Sequence, residues 1–287
     1  MDKIKIVVDS GNSVDLDEAE KLNIGVIPFK IHFGDETFTD QVDLTSKEFF
    51  KKLKKTDKKV TTSIPGVGEF IEILEGYIKE GYNKILCFAI SPKLSGMYNM
   101  MNLAKDHIDN PNVEIDIINT KIASIPLYFV AKNAAIKAKN NEDYETIYKK
   151  ALEEIERVNI LARVDTLDYL VKGGRLPKPI AQVASFVNFS PIFTMDGGEI
   201  KIAKKTIGKK KSFKEFVKLI KDMAKEEKDY ILAIAGGESQ KEIKDLKKEL
   251  REEIEKAKIF KEFTVPPVFG VHLGPGSLLC SVLSFES

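Results

Sequence analysis

The chain has 287 residues, more than the ~100–200 of a typical single domain, so its length predicts two domains. A hydrophobic fraction of 43% and a charged fraction of 31% are ordinary for a globular protein and argue against intrinsic disorder. The 45 Lys and Arg side chains balance 44 Asp and Glu side chains, which disfavours a nucleic-acid-binding protein. No apolar run reaches the ~18–20 residues that a membrane span needs.

The three histidines and two cysteines exclude a His-rich metal site and a CxxC motif. Cys87 and Cys280 both lie in apolar runs, so we expect two buried, reduced thiols. The first residues enter a strand-like run without the apolar region of a secretory signal. We therefore expect a cytoplasmic protein.

Residues 1–158 alternate strand-like and helix-like segments, a pattern typical of a parallel sheet flanked by helices. The predicted strands are Ile4–Val8, Val26–Phe33, Lys84–Ile90 and Val113–Ile118. The predicted helices are Asp15–Leu22, one that begins at Thr45, Gly68–Lys79, Ser95–His107, Ala123–Lys139 and Asp143–Arg157. A capping box, in which Thr45 and Glu48 bond each other's backbone N–H, fixes the start of the second helix.

Residues 159–287 contain hairpin signals and fewer helices, so we predict an α+β second domain that begins near Val158. Asp196-Gly197-Gly198 predicts a hairpin turn. The other predicted strands are Asn159–Val164, Tyr230–Ala235, Val268–Val271 and Val282–Phe285. The predicted helices are Thr166–Val171, Pro177–Val187, and two that begin at caps formed by Ser212 and Ser239.

Four segments near predicted strand ends are rich in glycine and hydroxyl side chains. They are Asp9–Ser13, Thr61–Gly66, Ser91–Gly96 and His272–Ser277. Ligands of open α/β sheets bind at the carboxyl ends of the strands, and a hydroxyl beside a helix N-terminus can bind an anion. The segments predict a carboxylate or phosphate site, although each hydroxyl taken alone can also be a helix cap.

Two further interpretations of these residues stay open. Ser95 or Ser10 can act as a nucleophile with His272 as base and Asp9 as orienting group, which describes a hydrolase, although no G-x-S-x-G turn is present. The lysines between Lys204 and Lys211 form either a solvated loop or a contact for an acidic partner or a membrane surface.

The segments, in their order along nearly the whole chain, resemble the DegV family. The matching motifs are Val8-Asp9-Ser10, Val26–Phe29, Phe33–Asp35, Thr62-Ser63-x-Pro65, Ser91-x-Lys93–Gly96-x-Tyr98, Asp165–Leu170 with Gly173–Arg175, Asn188-x-x-Pro191-Ile192 and Gly270-x-His272-x-Gly274–Gly276. The resemblance implies two α/β domains with a fatty acid between them. It implies a non-catalytic subunit that presents the fatty-acid carboxylate to a separate ATP-dependent kinase of bacterial phospholipid synthesis.

The same resemblance implies which residues bind the ligand and the partner. The carboxylate-binding residues would be Thr62, Ser63, Ser95, Gly96 and His272, with Thr61 as an adjacent candidate. Arg175 would lie at the surface that meets the kinase, unless it forms a structural ion pair. No cofactor or metal is implied. The alternatives are a lipid or acyl-ester hydrolase that uses Ser95 and His272, and a DNA-associated regulator, which the charge balance disfavours.

The chain departs from the family pattern in four places, and the changes make the mouth of the site more apolar. Asp9-Ser10 is followed by Gly11–Val14 where a shorter Thr-Ala is usual. Ile64 stands where glutamine is usual, Met97 where a hydroxyl residue is usual, and Leu273 where threonine is common. These changes affect the expected polar contacts and the choice of ligand more than the fold.

Overall fold

The computed structural model describes residues 2–13, 15–177, 180, 182 and 188–284. Its strands are β1 (Ile4–Asp9), β2 (Ile24–Ile27), β3 (Lys30–Phe33), β4 (Glu36–Thr39), β5 (Val60–Ser63), β6 (Lys84–Ala89), β7 (Glu114–Asn119), β8 (Leu161–Arg163), β9 (Ile192–Asp196), β10 (Glu199–Lys204), β11 (Tyr230–Gly236), β12 (Ile259–Thr264) and β13 (Leu278–Ser284). Its helices are α1 (Leu16–Lys21), α2 (Ser46–Leu53), α3 (Val67–Lys79), α4 (Met97–Lys105), α5 (Ile125–Lys139), α6 (Tyr144–Arg157), α7 (Asp168–Lys172), α8 (Lys209–Glu226), α9 (Gln240–Glu249), α10 (Arg251–Lys256) and α11 (Pro267–Leu273).

The first half of the chain forms a parallel sheet with strand order β2-β1-β6-β7. β1 and β6 are buried almost throughout, as expected for central strands of a sheet with helices on both faces. The parallel sheet confirms the predicted α/β class. The predicted capping box at α2 is also present, since Thr45 and Glu48 bond each other's backbone N–H.

The second half forms a mixed sheet with order β10-β9-β8-β13-β11-β12, in which only β11 and β12 of the described strands pair in parallel. The predicted hairpin is confirmed as β9 and β10. Ser239 caps α9 as predicted, because its side chain accepts the N–H of Glu242.

The prediction of one strand over Val26–Phe33 is wrong. The segment divides into β2 and β3, which belong to different sheets, with Pro28 between them. Proline has no N–H to donate, so it cannot continue a sheet ladder in both directions. β3 instead pairs antiparallel with β4 and β5 in a small separate sheet.

Two further local predictions are wrong. Val268–Val271 belongs to helix α11, which begins at Pro267, where a fixed φ suits the first helical position. Ser212 lies inside α8 with a buried side chain and does not cap it, because the helix begins earlier, after Gly208 at φ 84°. The helix predicted over 177–187 falls mostly outside the described residues.

Helix α5 connects the two halves through the core. It contacts β1 of the parallel sheet and both β11 and β13 of the mixed sheet. One buried cluster therefore contains Val7 of the first half and Leu279 of the second. Because the core is continuous, the boundary near Val158 stays a prediction. Cys87 and Cys280 are buried free thiols, as expected.

The β9–β10 hairpin is attached to the loop that follows β6. The buried hydroxyl of Ser91 donates to the carbonyl oxygen of Gly198 at 2.6 Å. Next to it, Lys93 Nζ lies 2.8 Å from Glu199 Oε1. These contacts hold strands of the second half against the carboxyl end of the parallel sheet, where the central pocket lies.

Candidate functional site

An apolar cavity, which we call the central pocket, lies between the two halves. Its empty volume is about 830 Å³, which includes space open to solvent. Its apolar lining residues are Phe29, Ile90, Leu94, Ala123, Ile160, Ala162, Leu170, Phe193, Met195, Ile200, Val268, Phe269, Leu273 and Leu279. Its polar lining residues are Thr62, Ser95, Ser124, Arg175, Thr194 and His272.

Four of these side chains, Thr62, Ser95, Arg175 and His272, form what we call the polar cluster. Thr62 comes from β5 and His272 from the last turn of α11, and Thr62 Oγ1 lies 3.2 Å from His272 Nε2. Arg175 donates from Nε to the carbonyl oxygen of Leu94, which directly precedes Ser95. The structure thus brings together residues from four separate segments of the chain.

His272 is neutral at physiological pH. Burial, with the nearby positive charge of Arg175 as a second cause, lowers the pKa of His272 to about 4. Nδ1 is buried without a hydrogen-bond partner among the described residues. Gly173 lies directly against it, and a Cβ at that position would overlap the ring. A neutral imidazole here can donate one hydrogen bond to an anionic ligand.

Arg175 is half-buried, and its guanidinium carries no countercharge from the described residues. Besides Leu94 O, it donates from Nη1 to the carbonyl oxygen of Gly173 at 2.6 Å. Within the described part of the chain, Arg175 forms no ion pair, so the alternative prediction of a structural ion pair for Arg175 has no support. Burial lowers the pKa of Arg175, although an arginine stays protonated.

Three predicted carboxylate-binding residues do not line the central pocket. Thr61 and Ser63 flank Thr62 on β5, and side chains alternate between the two faces of a strand. The exposed hydroxyl of Ser63 lies 2.8 Å from His32 Nε2. Gly96 directly precedes α4, and the side chain of Ile64 packs against it.

The arrangement offers no support for the hydrolase interpretation. Ser95 Oγ accepts the N–H of Met97, and no hydrogen bond joins Ser95 to His272 among the described residues. Ser10, the other candidate nucleophile, donates to a carboxylate oxygen of Asp40 at 2.6 Å. The carboxylate of Asp9 accepts hydrogen bonds from the backbone N–H groups of Gly11 and Ile90, and no described histidine donates to it.

Sequence reasoning missed Ser124, whose backbone N–H donates to the carbonyl oxygen of Gly11. The signal was available, because Ser124 is a hydroxyl residue in the loop after β7. In the described part of the chain, no group of three or more His, Cys, Asp or Glu side chains is placed to hold a metal ion. No described helix has the length and apolar composition to cross a bilayer.

Comparison with known proteins identifies the family. A family model described as "Uncharacterised protein, DegV family" matches residues 3–284. The chain belongs to the DegV family. A DegV domain-containing protein from Clostridium perfringens is 30% identical over 277 residues, which cover 96% of each chain.

Two solved structures of DegV proteins share the fold over essentially the full length of both chains. One is described as a fatty acid binding DegV family protein from Streptococcus agalactiae, with a TM-score of 0.89, 24% identity and 100% coverage of each chain. The other is described as DegV, a fatty acid binding protein from Bacillus subtilis, with a TM-score of 0.88, 26% identity and coverage of 99% of this chain and 100% of that one.

Proposed function

We propose that this protein binds one long-chain fatty acid in the central pocket, with the carboxylate at the polar cluster. The observation that carries the proposal is an apolar cavity lined by Arg175, which forms no ion pair with any described residue, and by the neutral side chains of Thr62, Ser95 and His272. A carboxylate supplies the missing charge, and an acyl chain matches the apolar lining. The two DegV proteins described as fatty acid binding support the assignment.

The energetics favour an acyl chain over a small acid. Each buried methylene contributes ~0.8 kcal/mol, so a long chain supplies most of the affinity. A buried carboxylate costs several kcal/mol unless hydrogen bonds and a countercharge offset the loss of water. The polar cluster provides both, and therefore fixes which end of the ligand lies there.

Native mass spectrometry of protein purified without added lipid tests the proposal directly. We expect a stoichiometric adduct that denaturation releases as a fatty acid. Ala162 lines the central pocket, so Ala162→Phe should fill the cavity and abolish the adduct. Ala203, which is exposed near the end of β10, provides the matched control Ala203→Phe, which should keep it. Protein that stays ligand-free when fatty acids are offered would contradict the proposal.

We further propose that the protein is a cytoplasmic carrier, not a catalyst, and presents its ligand to an ATP-dependent kinase that forms an acyl phosphate for phospholipid synthesis. A surface cleft beside α7 supports this role. Gly173 lines that cleft on one side and contacts His272 of the polar cluster on the other. Lys58, Lys59 and Lys172 line the cleft together with Asp57 and Asp168, so its charge is mixed with a small positive excess.

Phosphoryl transfer from ATP by a fatty-acid kinase subunit tests the carrier role. At equal fatty-acid occupancy, verified by native mass spectrometry, we expect Arg175→Ala to lower the rate of acyl-phosphate formation. Lys79→Ala is a suitable control, because the side chain of Lys79 is 79% exposed on α3, away from the cleft. Equal rates for both variants would remove Arg175 from the partner surface.

We also propose transient contact with an anionic membrane through the basic stretch from Lys204 to Lys211. Ile207, within this stretch, is 70% exposed. Cations around an exposed apolar side chain suit an interface with acidic lipids. Sedimentation with anionic and neutral vesicles should show binding only to the anionic ones.

A further inference from the structure

Asp40 lies directly after β4, in the loop that leads to α2, and its side chain is completely buried. One carboxylate oxygen, Oδ1, accepts the backbone N–H of Val268 at 3.2 Å. The other oxygen, Oδ2, accepts the hydroxyl of Ser10 at 2.6 Å. A side chain of the first half of the chain is therefore hydrogen-bonded to the backbone of α11, which belongs to the second half.

This hydrogen bond caps α11. The first backbone N–H groups of a helix have no partner one turn earlier in the helix. Pro266, which directly precedes α11, offers no side-chain oxygen, and Pro267 has no N–H. The N–H groups of the two residues that follow Val268 donate to the carbonyl oxygen of Pro266. The N–H of Val268 remains, and Asp40 supplies its acceptor.

The capped end of α11 lies one turn from His272. Val268 and His272 are four positions apart, so they share one face of the helix, and both line the central pocket. α11 has seven residues, Pro267–Leu273, held together by the bonds of successive turns. A shift of its first turn therefore moves its last turn as well, and with it the ring of His272.

The middle of α11 is in close contact with α2. A Cβ at Gly270 would lie 2.4 Å from the ring of Phe49, which is fully buried. This contact sets the separation of the two helices. Dispersion contacts have little directional preference, whereas a hydrogen bond needs its donor and acceptor aligned. The bond from Val268 to Asp40 therefore fixes the rotation and the axial position of α11.

We infer that Asp40 is a positioning residue for the fatty-acid carboxylate and acts through α11, by holding His272 in the polar cluster. This inference rests on the proposed fatty-acid function. Asp40 does not line the central pocket, so it affects the ligand only through the segments that it holds. Loss of the Asp40 acceptor displaces His272 and weakens its hydrogen bond to the carboxylate, while the apolar lining that binds the acyl chain remains.

The test compares the dissociation constants of a saturated fatty acid and of its methyl ester, measured with delipidated protein. Both ligands bury the same acyl chain, and only the acid brings a charge to the polar cluster. The ratio of the two constants therefore reports on the polar cluster, whereas a general loss of pocket structure weakens both ligands alike.

Asp40→Ala removes the acceptor of Val268. Asp40→Asn keeps it, because the amide oxygen can accept this N–H while the amide nitrogen donates to the hydroxyl oxygen of Ser10. Asp43→Ala is the matched control. Asp43 is an exposed residue of the same loop, and its carboxylate accepts the backbone N–H of Thr39 at 2.7 Å instead of one from α11.

We expect Asp40→Ala to raise the dissociation constant of the acid at least about 10-fold and that of the methyl ester by a smaller factor. Asp40→Asn and Asp43→Ala should stay close to the wild type for both ligands. Circular dichroism checks folding. If Asp40→Ala does not fold, Ser10→Ala decides the test, because it removes the hydroxyl that holds Oδ2 and should change the ratio in the same direction.

Equal losses for the acid and the ester, or no loss in the folded variants, would overturn the positioning role and leave the proposed function in place. If the wild type binds no fatty acid, the proposed function fails, and this inference fails with it.

Discussion

Thr62→Val is the most direct perturbation of the polar cluster. Thr62 Oγ1 contacts His272 Nε2 at 3.2 Å and lines the pocket, so valine removes the hydroxyl while it keeps the shape and the β-branch. A hydrogen bond to a charged group is worth about 1.5–3 kcal/mol. We therefore expect the dissociation constant of a fatty acid to rise about 10- to 150-fold.

The same strand supplies the control. Thr61→Val makes an identical chemical change on the opposite face of β5 and should leave affinity unchanged. Displacement of a fluorescent fatty acid from delipidated protein measures both variants. The methyl ester of the ligand carries no charge, so Thr62→Val should weaken its binding by a smaller factor. Equal effects of the two variants, or none from Thr62→Val, would refute the assignment of Thr62 to the carboxylate.

Three further predictions concern stability and the site. Gly198→Ala should lower the free energy of unfolding by about 1–3 kcal/mol, because φ is 84° and the new Cβ would lie 2.7 Å from a hydroxyl oxygen of the first half. Gly197→Ala, at φ 54° with open space around it, should cost less in the same urea titration; equal losses would mean that the contact is unimportant. Burial raises the pKa of Asp40 from 3.8 to about 7, so the folded protein keeps this proton at pH values where the unfolded chain has lost it. The free energy of unfolding of the wild type should therefore fall, relative to that of Asp40→Asn, as pH rises from about 4 to 7. A difference in unfolding free energy that does not vary with pH would contradict the shift. Gly173→Ala should displace the ring of His272 and reduce fatty-acid occupancy in native mass spectrometry, and wild-type occupancy would show that the ring position is not needed.

The sequence predicted most helices and strands because their signals are local. The helices predicted over Gly68–Lys79 and Asp143–Arg157 match α3 and α6 closely, and the reciprocal bonds of Thr45 and Glu48 located the start of α2. Such signals depend on neighbours within one or two turns, and tertiary packing does not change them. The ordered motifs were also enough to predict the family.

Local signals failed where a short apolar run fits two structures. Val268–Val271 suits either a strand or a buried helix turn, and the local sequence does not distinguish the two. In the structure the segment is helical and packs against α2 and α7. Val26–Phe33 is apolar throughout, yet the two parts separate at Pro28 into different sheets. Sheet membership depends on strands far along the chain, and no local pattern specifies it.

For the site, the sequence by itself determined the residue types: hydroxyls, a histidine and an arginine in segments near strand and helix ends. It did not determine which of Thr61, Thr62 and Ser63 faces the pocket. Three polar residues in a row show no apolar alternation, so the sequence does not indicate which side chains of β5 face the pocket. The contact between His272 of α11 and Thr62 identifies that face. The hydroxyls of Ser13 and Ser124 are in contact although the residues are 111 positions apart, and only the packing of α5 against the loop after β1 brings them together.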